Sequence, residues 1–217
     1  MLHHRITRME LFQAQLALLV AIGLQIFTRQ VGSELLPGSQ SLIIIIEVTL
    51  AVVLGLTINL HHPRLRALHH AISIFLLGLI SAANVSGLIY VLNSLIFEHS
   101  IISGTELLAA AIAIFMTNII VYSLWYWEID SPGLTRTRWS KNDKDFQFTQ
   151  QDRPQEFRNW QPQFVDYLYL SITNAVNFAP SDGRPLTPLA KMLMASQSLV
   201  SVFTLALVLA RSVWYFG

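Results

Sequence analysis

A chain of 217 residues that is 53% hydrophobic and only 12% charged has too few polar side chains to give each element a wet face. This excludes an ordinary soluble domain and makes the bilayer the relevant solvent. A formal net charge of +1, with Lys and Arg confined between apolar runs, excludes nucleic acid as a partner, and the absence of cysteine excludes disulfides and thiolate metal sites.

The first apolar window, residues 11–28, comes after a short basic segment containing Arg5 and Arg8. That order mimics a signal peptide, but no small-residue cleavage pattern succeeds it, so a retained first helix is expected. Further windows near the length that crosses hydrocarbon fall at 42–60, 71–96, 105–127 and 189–214. An additional apolar stretch, 164–179, is short. At about 1.5 Å per residue it reaches only about 24 Å, so it either crosses a thinned bilayer or penetrates part way. The expected fold is all-α, an integral membrane helical bundle with five transmembrane helices plus this short or sixth helix. The chain then divides into three regions: a four-helix transmembrane domain (1–127), a polar linker (128–163) and a C-terminal unit (164–217) of short helix, loop and long helix.

The second window, LIIIIEVTLAVVLGLTINL, is interrupted by Glu47. A carboxylate within a span is costly enough to be a functional suspect. Two readings stay open for it: handling of a proton or cation, or a structural or interfacial position about six residues into the span. HHPRLRALHH reads as a positive turn, since no acidic or cysteine ligand accompanies its four histidines and two arginines would repel a dication. Asn84 and Asn118, near the middles of the third and fourth windows, read as hydrogen-bonding groups between helices. The aromatic run LWYWEID reads as an interfacial belt closing the fourth span.

Counting Lys and Arg on the two sides gives ten (Arg5, Arg8, Arg64, Arg66, Arg136, Arg138, Lys141, Lys144, Arg153, Arg158) against three (Arg29, Arg184, Lys191), with Arg211 inside the end of the last window. The excess makes the side carrying the N-terminus and the linker cytoplasmic. The expected location is a bacterial plasma (inner) membrane, multi-pass.

The most informative stretch is FVDYLYLSITNAVNFAPSDGRPLTPLAKMLMASQSLVSVFTLALVLARSV, Phe164 to Val213. It resembles the pore module of the tetrameric cation-channel superfamily, particularly two-helix potassium channels, in which an aromatic pore helix, a filter loop T-T-V-G-Y-G-D and a Pro/Thr turn precede a long inner helix. On that resemblance, Asp166 to Ser171 opens a pore-like helix, Asp182 holds the place of the filter aspartate, and Pro185 to Lys191 approaches the inner helix. Four copies around one pore, a homo-oligomeric tetramer, and monovalent cations as cargo are what the resemblance implies. The filter positions read Val176, Asn177, Phe178, Ala179, Pro180, Ser181 and Asp182, so both glycines are replaced and potassium selectivity of the usual geometry is not expected. A less selective cation path would use Asn177, Ser181 and Asp182. The plainer reading is a helix stop, a Pro-Ser-Asp-Gly turn and a helix restart. The whole chain also resembles an uncharacterised family of bacterial multi-spanning membrane proteins with a similar ending.

In the last window Gln197, Ser201 and Thr204 share one helical face. Such a stripe lines a water path or bonds a neighbouring helix. No phosphate loop, His-Glu-x-x-His helix or nucleophile elbow is present, so neither catalysis nor a cofactor or metal is expected. The functional expectation is a channel-like protein conducting cations; the alternatives are a non-conducting membrane scaffold or accessory subunit, and a secondary transporter with Glu47 as coupling carboxylate.

Overall fold

The computed structural model describes residues 8–31, 39–57, 63–96, 104–130, 144–158, 160–178 and 182–216. Its elements are α1 (Arg8–Val31), α2 (Ser39–Thr57), α3 (Pro63–Ile96), α4 (Gly104–Asp130), β1 (Phe146–Phe148), α5 (Thr149–Asp152), α6 (Phe164–Asn177), β2 (Gly183–Pro185) and α7 (Pro188–Phe216). Among the described residues, four helices are long and apolar enough to cross a membrane: Met9–Gln30, Leu68–Ser94, Thr105–Asp130 and Pro188–Leu209. Outward side chains such as Leu19, Phe75, Ile89, Ile112, Leu199 and Phe203 are exposed and apolar, as a lipid-facing surface requires. The apolar stretch of α2, Ile43–Leu56, is shorter.

Helix α4 is the axis of the bundle, packed on α1, α3, α6 and α7. Contacts fix the direction of each neighbour. His70, near the start of α3, pairs with Glu128 at the end of α4 at 2.9 Å, and Asn84 farther along α3 donates to the Ile114 carbonyl at 3.3 Å, so these helices are antiparallel. Gln25 of α1 donates to the Ile80 carbonyl of α3 at 2.7 Å, and farther along both helices Thr28 lies 3.8 Å from the Cβ position of Gly87, so α1 and α3 run side by side in the same direction. Their N-termini share the end where α4 finishes, and α2 must carry the chain back between them.

The chain after α4 departs from the expectation of a detached polar linker. Beyond the segment 131–143, which lies outside the described residues, β1 pairs antiparallel with β2, Phe146 opposite Pro185 and Phe148 opposite Gly183. An otherwise all-helical fold thus carries one short ribbon. Its backbone is anchored by Asp130, whose Oδ1 accepts the N–H groups of Asp145 (2.7 Å) and Phe146 (3.0 Å) while Oδ2 accepts the Tyr167 hydroxyl at 2.6 Å. Phe146 and Phe148 are fully buried, edge-on to Tyr126 and Tyr167. The main core cluster therefore joins residues of α1, α3 and α4 to Phe164, Tyr167 and Met194.

The short helix does not carry the chain across. Phe164, at its start, meets Trp127 at a ring separation of 5.7 Å, and the chain is back against β1 by Gly183, beside Leu170 and Phe148. A Cβ at Gly183 would stand 3.3 Å from both of those side chains, so close approach, not backbone freedom, is what this glycine supplies. Thus α6 begins and its return strand ends at the same end of the bundle. Asp166, in the first turn of α6, accepts the Gln163 N–H at 2.6 Å. Burial pushes its carboxyl above the ordinary range against the pull of that hydrogen bond. Phe178 closes α6 in the left-handed region (φ 54°).

Two other sequence readings change. HHPRLRALHH is no turn, because α3 begins at Pro63, a favoured first helical residue, and takes in everything from there on. Tyr126 and Trp127 are core residues at 0% and 1% exposure, not an interfacial belt, because the ribbon and α6 cover them.

Tyr167→Phe removes the donor to Asp130 Oδ2 and is expected to cost about 1.5–3 kcal/mol, as for a hydrogen bond to a charged group. Thermal unfolding in detergent reads this out; an unchanged midpoint would show that the Asp145 and Phe146 amides hold Asp130 unaided.

Candidate functional site

The polar residues that sequence spacing singles out near the C-terminus fall into two places. Asp182 belongs to the ribbon. Its backbone carbonyl accepts the Thr149 N–H at 3.0 Å, and its carboxylate accepts the Thr149 hydroxyl and, at 3.2 Å, the Gln150 amide. Asp145 is its counterpart on the other strand: it accepts the Leu186 N–H through its carbonyl at 2.8 Å and the Thr187 hydroxyl through its carboxylate. Each strand is thus preceded by an aspartate that clasps the threonine following the other strand. Thr187 in turn caps α7, its Oγ1 accepting the Ala190 N–H at 3.3 Å with Pro188 at the first helical position. Within the subunit Asp182 is therefore a ribbon clasp at the linker end. Ser181 lies outside the described residues. Asn177 is the last residue of α6 and is exposed.

The second place is the seam between α4, α6 and α7. Gln197, Ser201 and Thr204 are each 0% exposed and face into the subunit. The Gln197 amide is the hub. Its Oε1 accepts the Tyr126 hydroxyl at 2.5 Å and Asn174 Nδ2 at 2.8 Å; its Nε2 donates to the Ser171 carbonyl at 3.0 Å and Ser171 Oγ at 2.7 Å. Two acceptor and two donor positions are all that a primary amide has, and all four are filled by protein. Ser171 passes its own proton to the Ile119 carbonyl at 2.6 Å, and Asn174 also donates to the Met194 carbonyl at 3.0 Å. One turn farther along α7, Ser201 accepts from Asn118 Nδ2 at 2.9 Å, while Tyr122 and Ser196 share a 2.8 Å bond on the flank. Thr204 bonds only its own helix, through the Val200 carbonyl at 2.6 Å.

The geometry decides between the two uses of a polar stripe. Every member of the hub is neutral, and the central amide has no valence left for an ion or water. The hub residues lock α6 onto α4 and α7, and Ser201 bonds α4; within the subunit Gln197 and Ser201 thus serve helix-to-helix bonding, while Thr204 bonds its own helix. Asn84 and Asn118 do the same between α3 and α4 and between α4 and α7.

Spacing alone did not reveal Tyr126, Ser171 and Asn174. Ser171 and Asn174, three apart on α6, carried a usable signal as neighbours on one face; Tyr126 was masked by the aromatic run around it. The His70–Glu128 pair was likewise hidden, its partners lying 58 residues apart.

Glu47 stands apart from this seam, on α2, at 0% exposure. Among the described residues, no cluster of three or more His, Cys, Asp or Glu side chains is placed to hold a metal. Comparison with known proteins yields no matching family model, no similar curated protein and no similar solved structure.

Gln197→Ala leaves the buried Tyr126 hydroxyl without its acceptor and takes one bond each from Asn174 and Ser171, and is expected to cost about 2–4 kcal/mol, whereas Thr204→Ala, which loses only a bond within its own helix, should stay within about 1 kcal/mol. Parallel melts of the two variants in detergent test the hub; equal losses would remove its special standing.

Proposed function

We propose that this membrane protein is a non-conducting scaffold or accessory subunit, in which the α4–α6–α7 seam holds the short helix and the ribbon as a rigid cap at one membrane face. The observation that carries this reading is the Gln197 amide with all four hydrogen-bonding positions consumed inside one subunit. A pore-lining glutamine needs at least one of them for water or ion. In this reading α2 is the fifth crossing, since its nineteen residues rise about 28 Å and it must return the chain between α1 and α3. The cap faces the cytoplasm of a bacterial cell, on the excess of Lys and Arg at that end.

A second reading, cation conduction between copies of the chain, is favoured by one observation. Asn177 and Phe178 leave the C-terminal end of α6 exposed, and helix-end carbonyls that lack intrahelical partners are coordinating groups once a homo-oligomer encloses them.

Flux of monovalent cations into liposomes containing the purified protein separates the two. The scaffold predicts no flux above protein-free vesicles under any ion gradient; flux that drops on Asn177→Ala but not on Asp182→Ala would establish the second reading and overturn the first. A cysteine placed at the exposed Arg153, in a chain that has none of its own, should react with an impermeant maleimide only from the cytoplasmic side.

A further inference from the structure

In contrast to the filled Gln197 amide, the α1–α2–α3 side of the bundle holds a buried carboxyl group with no donor among the described residues. There, both carboxyl oxygens of Glu47 lack a hydrogen-bond partner, and so does Oε1 of Gln25, a residue 4% exposed whose Nε2 is already spent on the Ile80 carbonyl. The two side chains lie at nearly the same depth. Helices α1 and α2 are antiparallel, and Gln15 Nε2 comes 3.5 Å from the Cβ position of Gly55. Stepping eight residues along each helix from that contact brings Glu47 level with Gly23, two residues from Gln25.

We propose that Glu47 is a proton-binding site within the bundle, its carboxyl taking up and releasing a proton with the Gln25 amide oxygen as the neighbouring acceptor. At 0% exposure and with no donor among the described residues, an ionised carboxylate here would be unsolvated, and a buried charge in that position neutralises itself by binding a proton. The protonated acid then has one donor to place, and Gln25 Oε1 is the unfilled acceptor at its level. Among the described residues the charge that acts on Glu47 is Arg29, a turn beyond Gln25 on the same face of α1. Helix α3, the other element packed on α2, presents no titratable side chain from Ile72 to Ile89. Its His69 and His70 and the Glu10 of α1 lie toward the opposite end of the bundle, where His70 is joined to Glu128. Glu47 stands about 12 Å along α2 from Ser39, on the half of the bundle away from the ribbon. The site is independent of whether the protein conducts ions.

Infrared difference spectroscopy of the purified protein, titrated from acid to alkaline pH, tests this directly. Wild type minus Glu47→Gln should show the carbonyl stretch of a single protonated carboxylic acid that disappears reversibly as pH rises, and Gln25→Leu should shift that band by removing its acceptor. A difference spectrum with no acid carbonyl at any pH would overturn the proposal, as would a band that persists unchanged throughout the titration. Loss of the band on adding sodium at constant pH would also overturn it, reassigning the site to a metal cation. Should Glu47→Gln fail to fold, isotope-edited spectra of glutamate-labelled wild type with and without Gln25→Leu give the same decision. Cation flux in liposomes without a titrating Glu47 band, or the reverse, keeps this result distinct from the scaffold reading.

Discussion

Hydrocarbon offers no hydrogen bonds, so a polar group that enters it must bring its partner along. In this chain the constraint acts most strongly on Gln197. Placed in the middle of an apolar helix, its amide obliges α7 to lie where Tyr126, Asn174 and Ser171 converge. The position of α6 is set at the same time, since two of those partners are its own side chains. So is the course of the backbone at the linker end, because a helix fixed there by Ser171 and Asn174 needs a strand to retrieve it. Each of these bonds is individually modest in a membrane, on the order of 1 kcal/mol. Their effect comes from sharing one central group, so that no single helix can shift without opening several at once.

The bundle divides into two sides with opposite electrostatic character. Around Gln197 the buried polar groups are amides and hydroxyls whose bonds close among themselves, although Asn118 Oδ1 nearby has no partner among the described residues. Around α1, α2 and α3 the acceptors of Glu47 and Gln25 likewise have no donor among the described residues, and Glu47 is the one that carries a titratable group. A saturated network is static, whereas an unfilled one has something left to bind. This contrast argues that chemistry, where the protein has any, belongs to α2 and its neighbours and that the channel-like ending supplies the frame.

How much of this could be read in the sequence depended on the range of the interactions involved. Crossing helices are local objects, written as runs of apolar residues between polar breaks, and five of the windows correspond to α1, α2, α3, α4 and α7 with modest shifts at their ends. Helix α3 extends back to Pro63 because two arginines and two histidines in its first turns do not prevent helix formation; they only make it polar. The ribbon was illegible. Phe146, Gln147 and Phe148 alternate as a strand does, but three residues among Asp, Lys and Gln give no signal until Gly183 to Pro185 is known to lie opposite. Within the stretch that suggests a filter or a turn, Asp182 leads into that second strand at Gly183. Likewise the stripe of Gln197, Ser201 and Thr204 was legible as a face, yet what it faces was decided by Asn174 and Tyr126, 23 and 71 residues away.

Those separations set an order of assembly during synthesis. Helix α4 enters the membrane with Asn118 and Tyr126 on its inner face, and the groups that complete them, on Ser201 and Gln197, are made 83 and 71 residues later. Until α7 is inserted, that face has to be sheltered by water or by the insertion machinery, since lipid cannot satisfy it. A ribosome that stalls or a transcript that ends before α7 would therefore release a protein with an adhesive polar stripe open to the bilayer, a natural mark by which quality control could distinguish unfinished chains from finished ones.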